Sequence, residues 1–265
     1  MAGTPYVGTS GFAYPEWKGT FYPATIRQKD MLSYYAERFG SVEINYTFRK
    51  DPTEEVLARW CASVPDSFVF ALKAPQRVTH WMRLAGAGEV ASAFLRKAGT
   101  LGDRLGPVLF QCPPTLPFDG PLLEAFLADV PAGFRIAFEF RHPSWTQARP
   151  MLRSKGVAWC HAETDQQPTS EWEGTNEPFL YLRMRRTAYP AGAMRIWADR
   201  IGSALAQDLD VFCYFKHEER GAGPAFARRL LGLTESAPSA SANTTPSGSA
   251  IRVPTPPWSV SPPTP

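Results

Sequence analysis

The sequence predicts a single (β/α)8 barrel of the TIM type, and three observations carry that prediction. Eight short runs rich in Val, Ile, Phe and Tyr recur along the first 233 residues. Amphipathic stretches fill most gaps between them, the alternation that a parallel sheet with crossover connections requires. The count of eight and the size of the folded unit fit a closed barrel better than an open doubly wound sheet. No G-x-G-x-x-G follows the first run and no G-x-x-x-x-G-K-[ST] occurs, so the usual support for a dinucleotide or P-loop site is missing.

Taken in order, the first expected strand is Tyr6 to Ser10. The loop after it carries Gly8-Thr9-Ser10-Gly11, then Phe12, Tyr14, Trp17, Phe21 and Tyr22. That spacing is not the G-x-S-x-G of a nucleophile elbow. The aromatics read as a plug holding a long loop to the barrel, with stacking on a planar or sugar-like ligand as the alternative. Met31 to Phe39 puts Leu32, Tyr35 and Phe39 on one helical face and stops at Gly40. The second strand is expected at Ser41 to Phe48. Asp51-Pro52-Thr53-Glu54 then reads as a cap, a first-turn proline and a capping acid, opening a helix through Val56, Leu57 and Trp60.

The third strand is expected at Phe68 to Ala74, the fourth at Pro107 to Cys112, the fifth at Arg135 to Arg141 and the sixth at Val157 to Glu163. Helices are expected between them over Glu89 to Leu105, Pro121 to Val130 and Pro150 to Lys155. Thr164 to Pro178 is polar, dotted with Pro and Gly, and has no helical stripe. One helix, between strands six and seven, is therefore expected to be missing. Phe179 to Arg185, a helix over Met194 to Leu205, Asp210 to Lys216 and a helix over Pro224 to Leu231 finish the pattern.

Composition divides the chain into a barrel domain, 1–233, and a tail, 234–265. The tail's 32 residues hold 8 of the 26 prolines and two charged residues, Glu235 and Arg252. Such a segment buries too little apolar surface to offset its ordering entropy, so disorder is expected; Trp258 is its one candidate anchor, and a lone aromatic in such a tail is more often incidental than a docking motif. Hydrophobic residues are 44% and charged residues 20%, enough for a sizeable core. A net charge of +3 is too small to point to a nucleic-acid binder. No long apolar run and no leader pattern at Met1-Ala2-Gly3-Thr4-Pro5 are found, so a soluble, cytoplasmic protein without a membrane partner is expected. Cys61, Cys112, Cys160 and Cys213 lie far apart with no C-x-x-C and read as packing residues.

The chemistry is written on the strand ends. Strands of a parallel barrel are covered on both faces, so charges inside them are costly unless they reach a functional mouth. Alternation sets Glu43 and Asn45, Val69, Ala71 and Lys73, Ala137, Glu139 and Arg141, and Tyr181, Arg183 and Arg185 on the barrel interior. Polarity gathers at the C-terminal strand ends, where barrel active sites are built. With Gln111, Glu163 and Lys216 added, that rim holds three carboxylates and five cations, a balance that favours a small phosphate- or carboxylate-bearing ligand. The competing reading is a structural ion-pair network, Glu43 with Lys73 and Glu139 with Arg141.

The motifs Gly8 to Pro23, Val42-Glu43-Ile44-Asn45, Lys73-Ala74-Pro75, Thr79-His80, Gly102 to Gln111 and Phe138 to Trp145 together resemble the YecE-like family, domain of unknown function 72. The resemblance runs from about Tyr6 to Leu233. It implies a TIM-type barrel and no particular reaction. Residues matching its motifs are Glu43, Asn45, Lys73, His80, Gln111, Glu139, Arg141, His142 and Trp145. The family pattern has a His-Gly after the seventh strand, where this chain has Met184-Arg185-Arg186. It has an Asn pair after the eighth, where this chain has Lys216-His217. Both departures add positive charge to the mouth.

The candidate catalytic residues are therefore Glu43, Glu139 and Lys73. The candidate substrate-binding residues are Ser10, Asn45, Gln111, Arg141, His142, Trp145, Arg183 and Lys216. Glu43 and Glu139 can serve as acid and base if their surroundings push their pKa values apart, as in retaining or inverting glycoside hydrolysis. Lys73 can form a Schiff base if desolvated among cations, though a salt-bridged lysine is the commoner outcome. A metal-assisted hydrolase built on His142, His161, His217, Glu139 and Glu163 is less favoured, because the arginines repel a cation. No metal or cofactor is assigned. Binding of a nucleotide or RNA end without chemistry is the alternative function.

Overall fold

In the computed structural model, which describes residues 2–166, 177–216 and 221–235, each of the eight apolar runs contributes a strand. They are β1 (Pro5–Thr9), β2 (Ser41–Ile44), β3 (Val69–Lys73), β4 (Leu105–Gln111), β5 (Ile136–Glu139), β6 (Ala158–Glu163), β7 (Leu180–Met184) and β8 (Val211–Phe215). All pair in parallel in the order β1-β8-β7-β6-β5-β4-β3-β2. The two ends of that order meet at a single bridge, Ser10 with Glu43, where the Gly11 amide donates to the Glu43 carbonyl at 2.7 Å. Gly8 sits at this closure. A side chain there would run into the Ser41 carbonyl and the Tyr35 hydroxyl, so glycine allows β1 to approach β2.

The helices are α1 (Met31–Ala36), α2 (Tyr46–Arg49), α3 (Glu54–Ala62), α4 (Gly88–Ala98), α5 (Gly120–Asp129), α6 (Arg149–Ser154), α7 (Ala191–Leu205) and α8 (Ala222–Glu235). Several differ from expectation for local reasons. The second strand stops at Ile44 because Asn45 turns into the helical region, and Tyr46 to Arg49 form α2 instead of continuing the sheet. Thr53, not Asp51, caps α3 by accepting from the Val56 amide. The helix expected up to Leu105 ends at Ala98; a 3-10 segment broken by Gly102, at φ 58°, leads into a strand that starts at Leu105. Helix α8 runs through Thr234 and Glu235, two residues into the expected tail, with the Thr234 hydroxyl donating to the Leu231 carbonyl. Residues 236–265, Trp258 among them, lie outside the described residues, as do 167–176; the described flanks 164–166 and 177–179 carry no helix.

Strand parity divides the core as alternation requires. Val42, Phe70, Leu72, Phe110, Phe138, Leu182 and Met184 pack outward against the helices. Val69, Ala71, Leu109, Ala137, Ala158, Cys160, Tyr181, Phe212 and Tyr214 fill the barrel interior as a separate cluster. The loop aromatics are the expected plug: Trp17, Phe21 and Tyr22 are buried, and Phe21 packs edge-on to Tyr35. All four cysteines are free, and three are buried. No described helix is long and apolar enough to cross a membrane.

Candidate functional site

Interior parity carries charge up the strands to their C-terminal ends, and there Arg183 becomes the centre of a cluster. Its Nη1 donates to Glu139 Oε2 at 2.6 Å and its Nη2 to Glu43 Oε1 at 2.8 Å. β7 thus ties β2 to β5 across the interior. Glu43 is fully buried and also accepts from the Tyr181 hydroxyl, at 2.8 Å, and from the Ser10 hydroxyl. Asn45 Nδ2 donates to Ser10 Oγ at 2.7 Å. Glu139 Oε1 accepts from Arg141 Nε at 3.0 Å and lies 3.6 Å from Arg185 Nη1. Burial pushes the Glu139 carboxyl up, but Arg183, Arg141 and Arg185 outweigh it and hold the group down at about 2. Burial lowers Arg183, yet Glu43 and Glu139 overcome that and keep it charged.

Lys73 does not form the ion pair with Glu43 that the competing ion-pair reading assigns to it. Both carboxylates are taken by arginines, and Lys73 makes no ion pair with a described carboxylate. Its Nζ lies 3.7 Å from the centroid of the Phe48 ring, against which His80 packs edge-on at 5.0 Å. Burial, then the Arg183 charge, bring the lysine down to about 7 against the partial opposition of Glu139 and Glu43. His80 is lowered by burial, Lys73 and Arg141, and its Nδ1 pairs with the Thr79 hydroxyl at 2.8 Å. The turn that carries His80, Arg77 to Trp81, is π-helical, and Arg83 and Leu84 after it hold positive φ. Such irregular backbone clusters at functional sites.

Arg141 and Arg185 remain 34% and 22% exposed and face a cavity of about 660 Å3 whose wall includes Glu139, Cys160, Thr164 and Asp165. Gln111 joins the interior set, in register with Glu139 and nearly buried. Lys216 follows β8 at the same end, half-buried. A second depression of about 330 Å3 opens at the opposite end of the strands beside Tyr6, Val69 and Gly106. Its arginine, Arg135, is paired with Asp210 at 2.8 Å.

Other expected members are placed elsewhere. Glu163 and His161 have the outward parity of β6: Glu163 accepts from Trp197 Nε1 of α7 at 3.0 Å, and His161 Nε2 lies 3.9 Å from Glu177. His142 caps the turn after β5, its Nδ1 accepting from the Ser144 amide. Trp145 is fully buried, stacked on Phe140 and bonded through Nε1 to the Leu116 carbonyl. Arg186 pairs outward, 3.7 Å from Glu163. His217 lies outside the described residues. Among the described residues no group of three or more His, Cys, Asp and Glu side chains gathers to hold a metal ion. Sequence reasoning passed over Tyr181 and Phe48. Tyr181 shared the interior parity of Arg183 and was legible; Phe48 was hidden by the helical turn at Asn45.

The fold and the polar cluster define a TIM-type barrel with its charge at the C-terminal ends of the strands. Within that class the chain belongs to the family described as protein of unknown function DUF72, whose model matches residues 6–250. It is 30% identical over 141 residues to UPF0759 protein YecE of Escherichia coli K12, a match that covers 53% of this chain and 49% of that protein. The chain thus matches about half the length of this curated relative. A DUF72 family protein of Thermotoga maritima, TM1631, superposes with a TM-score of 0.77 at 24% identity, covering 88% of this chain and 99% of that one. EF0366 of Enterococcus faecalis, also of the DUF72 family, does so at 0.70 and 18% identity over 88% and 96%.

Proposed function

We propose that this protein is an enzyme acting on a small phosphate- or carboxylate-bearing substrate at the C-terminal mouth of the barrel. One observation carries the reading. Three guanidinium groups converge on Glu139, one of them also binding Glu43, and the two outer arginines, Arg141 and Arg185, face an open cavity whose wall also carries Asp165. Arg141 and Arg185 supply the anion seat, with forked donors that match a carboxylate or phosphate. Glu43 and Glu139, expected from sequence to be an acid–base pair, serve in this reading to fix Arg183, since Glu139 is held ionised. The reactive group in this reading is Lys73, whose value of about 7 leaves it partly neutral at neutral pH.

The test is anion-dependent stability. Sulfate and inorganic phosphate should raise the melting temperature of the parent protein several degrees more than that of Arg141→Ala. Arg141→Lys should fall between them, because it keeps the charge and loses the fork. Equal shifts in all three proteins would remove Arg141 from the seat. A second reading, nucleotide or RNA-end binding without turnover, is favoured by Trp81 and Tyr46, which are 69% and 45% exposed after β3 and β2 at the same end. Tight binding of a nucleoside monophosphate with no product formed would select it.

A further inference from the structure

We infer that Lys73 forms an imine with a carbonyl carbon of the anionic substrate, so that the mouth takes 2-oxo acids or phosphorylated aldehydes and ketones. The inference rests on the anion seat proposed above and names the chemistry beside it.

The geometry turns on how the cluster distributes its partners. Two buried carboxylates lie among the charged groups around Lys73, and a lysine placed there for structure would take one of them. Both instead go to Arg183, with Arg141 and Arg185 added on Glu139. Lys73 is left with the face of Phe48 at 3.7 Å and only 8% of its surface exposed. Wherever the site needs a permanent cation it uses arginine, which does not lose its proton. The one cation of this buried group that can become a neutral amine is the one without a carboxylate among the described residues. Burial and the press of neighbouring cations favour the neutral, nucleophilic amine, while the Phe48 face on its own favours the ammonium. The lysine's value of about 7 agrees with that placement.

The neutral Nζ lone pair forms a bond to the carbonyl carbon while the C=O π pair moves to oxygen, and a proton passes from nitrogen to that oxygen to give a carbinolamine. Uptake of one proton from solvent lets the hydroxyl leave as water and yields the iminium. No oxidant or reductant takes part. The substrate's carboxylate or phosphate stays on Arg141 and Arg185 throughout.

Reductive trapping tests this on the full chain. The protein is incubated with pyruvate, glyoxylate or dihydroxyacetone phosphate, reduced with sodium cyanoborohydride and mapped by peptide mass. At about pH 7, an amine with a value of about 7 is half neutral, whereas an ordinary lysine is neutral in roughly one molecule in three thousand. Lys73 should therefore gain the probe's mass at least about tenfold faster than the exposed Lys29, Lys50 and Lys155, even after allowing for its weaker basicity. The rate should level off above about pH 7, the value that Lys73 itself carries. Added sulfate should suppress it. If none of the three probes marks Lys73 above the exposed lysines, the imine is overturned; because the mapping is done on the parent protein, no variant has to fold. Sulfate stabilisation without trapping leaves the anion seat standing and removes only the imine. Trapping at Lys73 that sulfate does not suppress, with no sulfate stabilisation, refutes the anionic substrate.

Discussion

Replacing Lys73 by Met should stabilise the protein, and by more at low pH than at high pH. Methionine keeps the length of the stem and its packing on Phe48 but has nothing to ionise. The folded lysine holds its proton only below about 7, whereas the unfolded chain holds it up to 10.5. A cationic group depressed in this way destabilises the fold: the penalty is complete below about pH 7 and shrinks as pH rises through the window to 10.5. At about 1.4 kcal/mol per unit, the interval from 10.5 down to about 7 is worth on the order of 4–5 kcal/mol. Near pH 9.5 only the last unit of that window, about 1.4 kcal/mol, is left. The stability gained by Lys73→Met should thus be about 3 kcal/mol larger near pH 6 than near pH 9.5. Urea unfolding of both proteins at both pH values measures it, and any packing change cancels in the difference. A gain independent of pH would show that Lys73 is solvated and ordinary, and would remove the argument for its chemistry.

Two further outcomes are expected. Glu139→Gln takes away the carboxylate shared by Arg183, Arg141 and Arg185, so it should cost on the order of 3–5 kcal/mol in urea unfolding; a loss below about 1 kcal/mol would mean that the cluster is too well hydrated to act as described. Gly8→Ala should prevent β1 from seating against β2, because the new methyl meets the backbone carbonyl of Ser41, and should lower stability by roughly 2 kcal/mol or more. A variant as stable as the parent would show that the barrel closure is free to shift.

The sequence by itself determined the eight strands, the barrel and which side of each strand faces inward. Those features follow from short-range rules: a period of two along a strand and helical stripes between strands, each readable from a few residues. It also placed Glu43, Lys73, Glu139, Arg141 and Arg183 on one inner face, because parity needs no knowledge of neighbours. Element ends were less legible. Phe48 looked like the end of a strand because apolar runs cannot announce the turn at Asn45, and Glu163 looked like part of the rim although its parity in β6 turned it to Trp197. What only the tertiary structure decided is the pairing within the cluster. Composition offered Glu43 to Lys73 or to any arginine. Arg183, rising from β7 across the interior, reaches both Glu43 on β2 and Glu139 on β5, and that contact joins strands far apart in sequence. Distances across a closed barrel depend on its closure and register, which no local pattern encodes. With the carboxylates taken by arginine, Lys73 is left beside Phe48, brought down to about 7 by burial and the Arg183 charge.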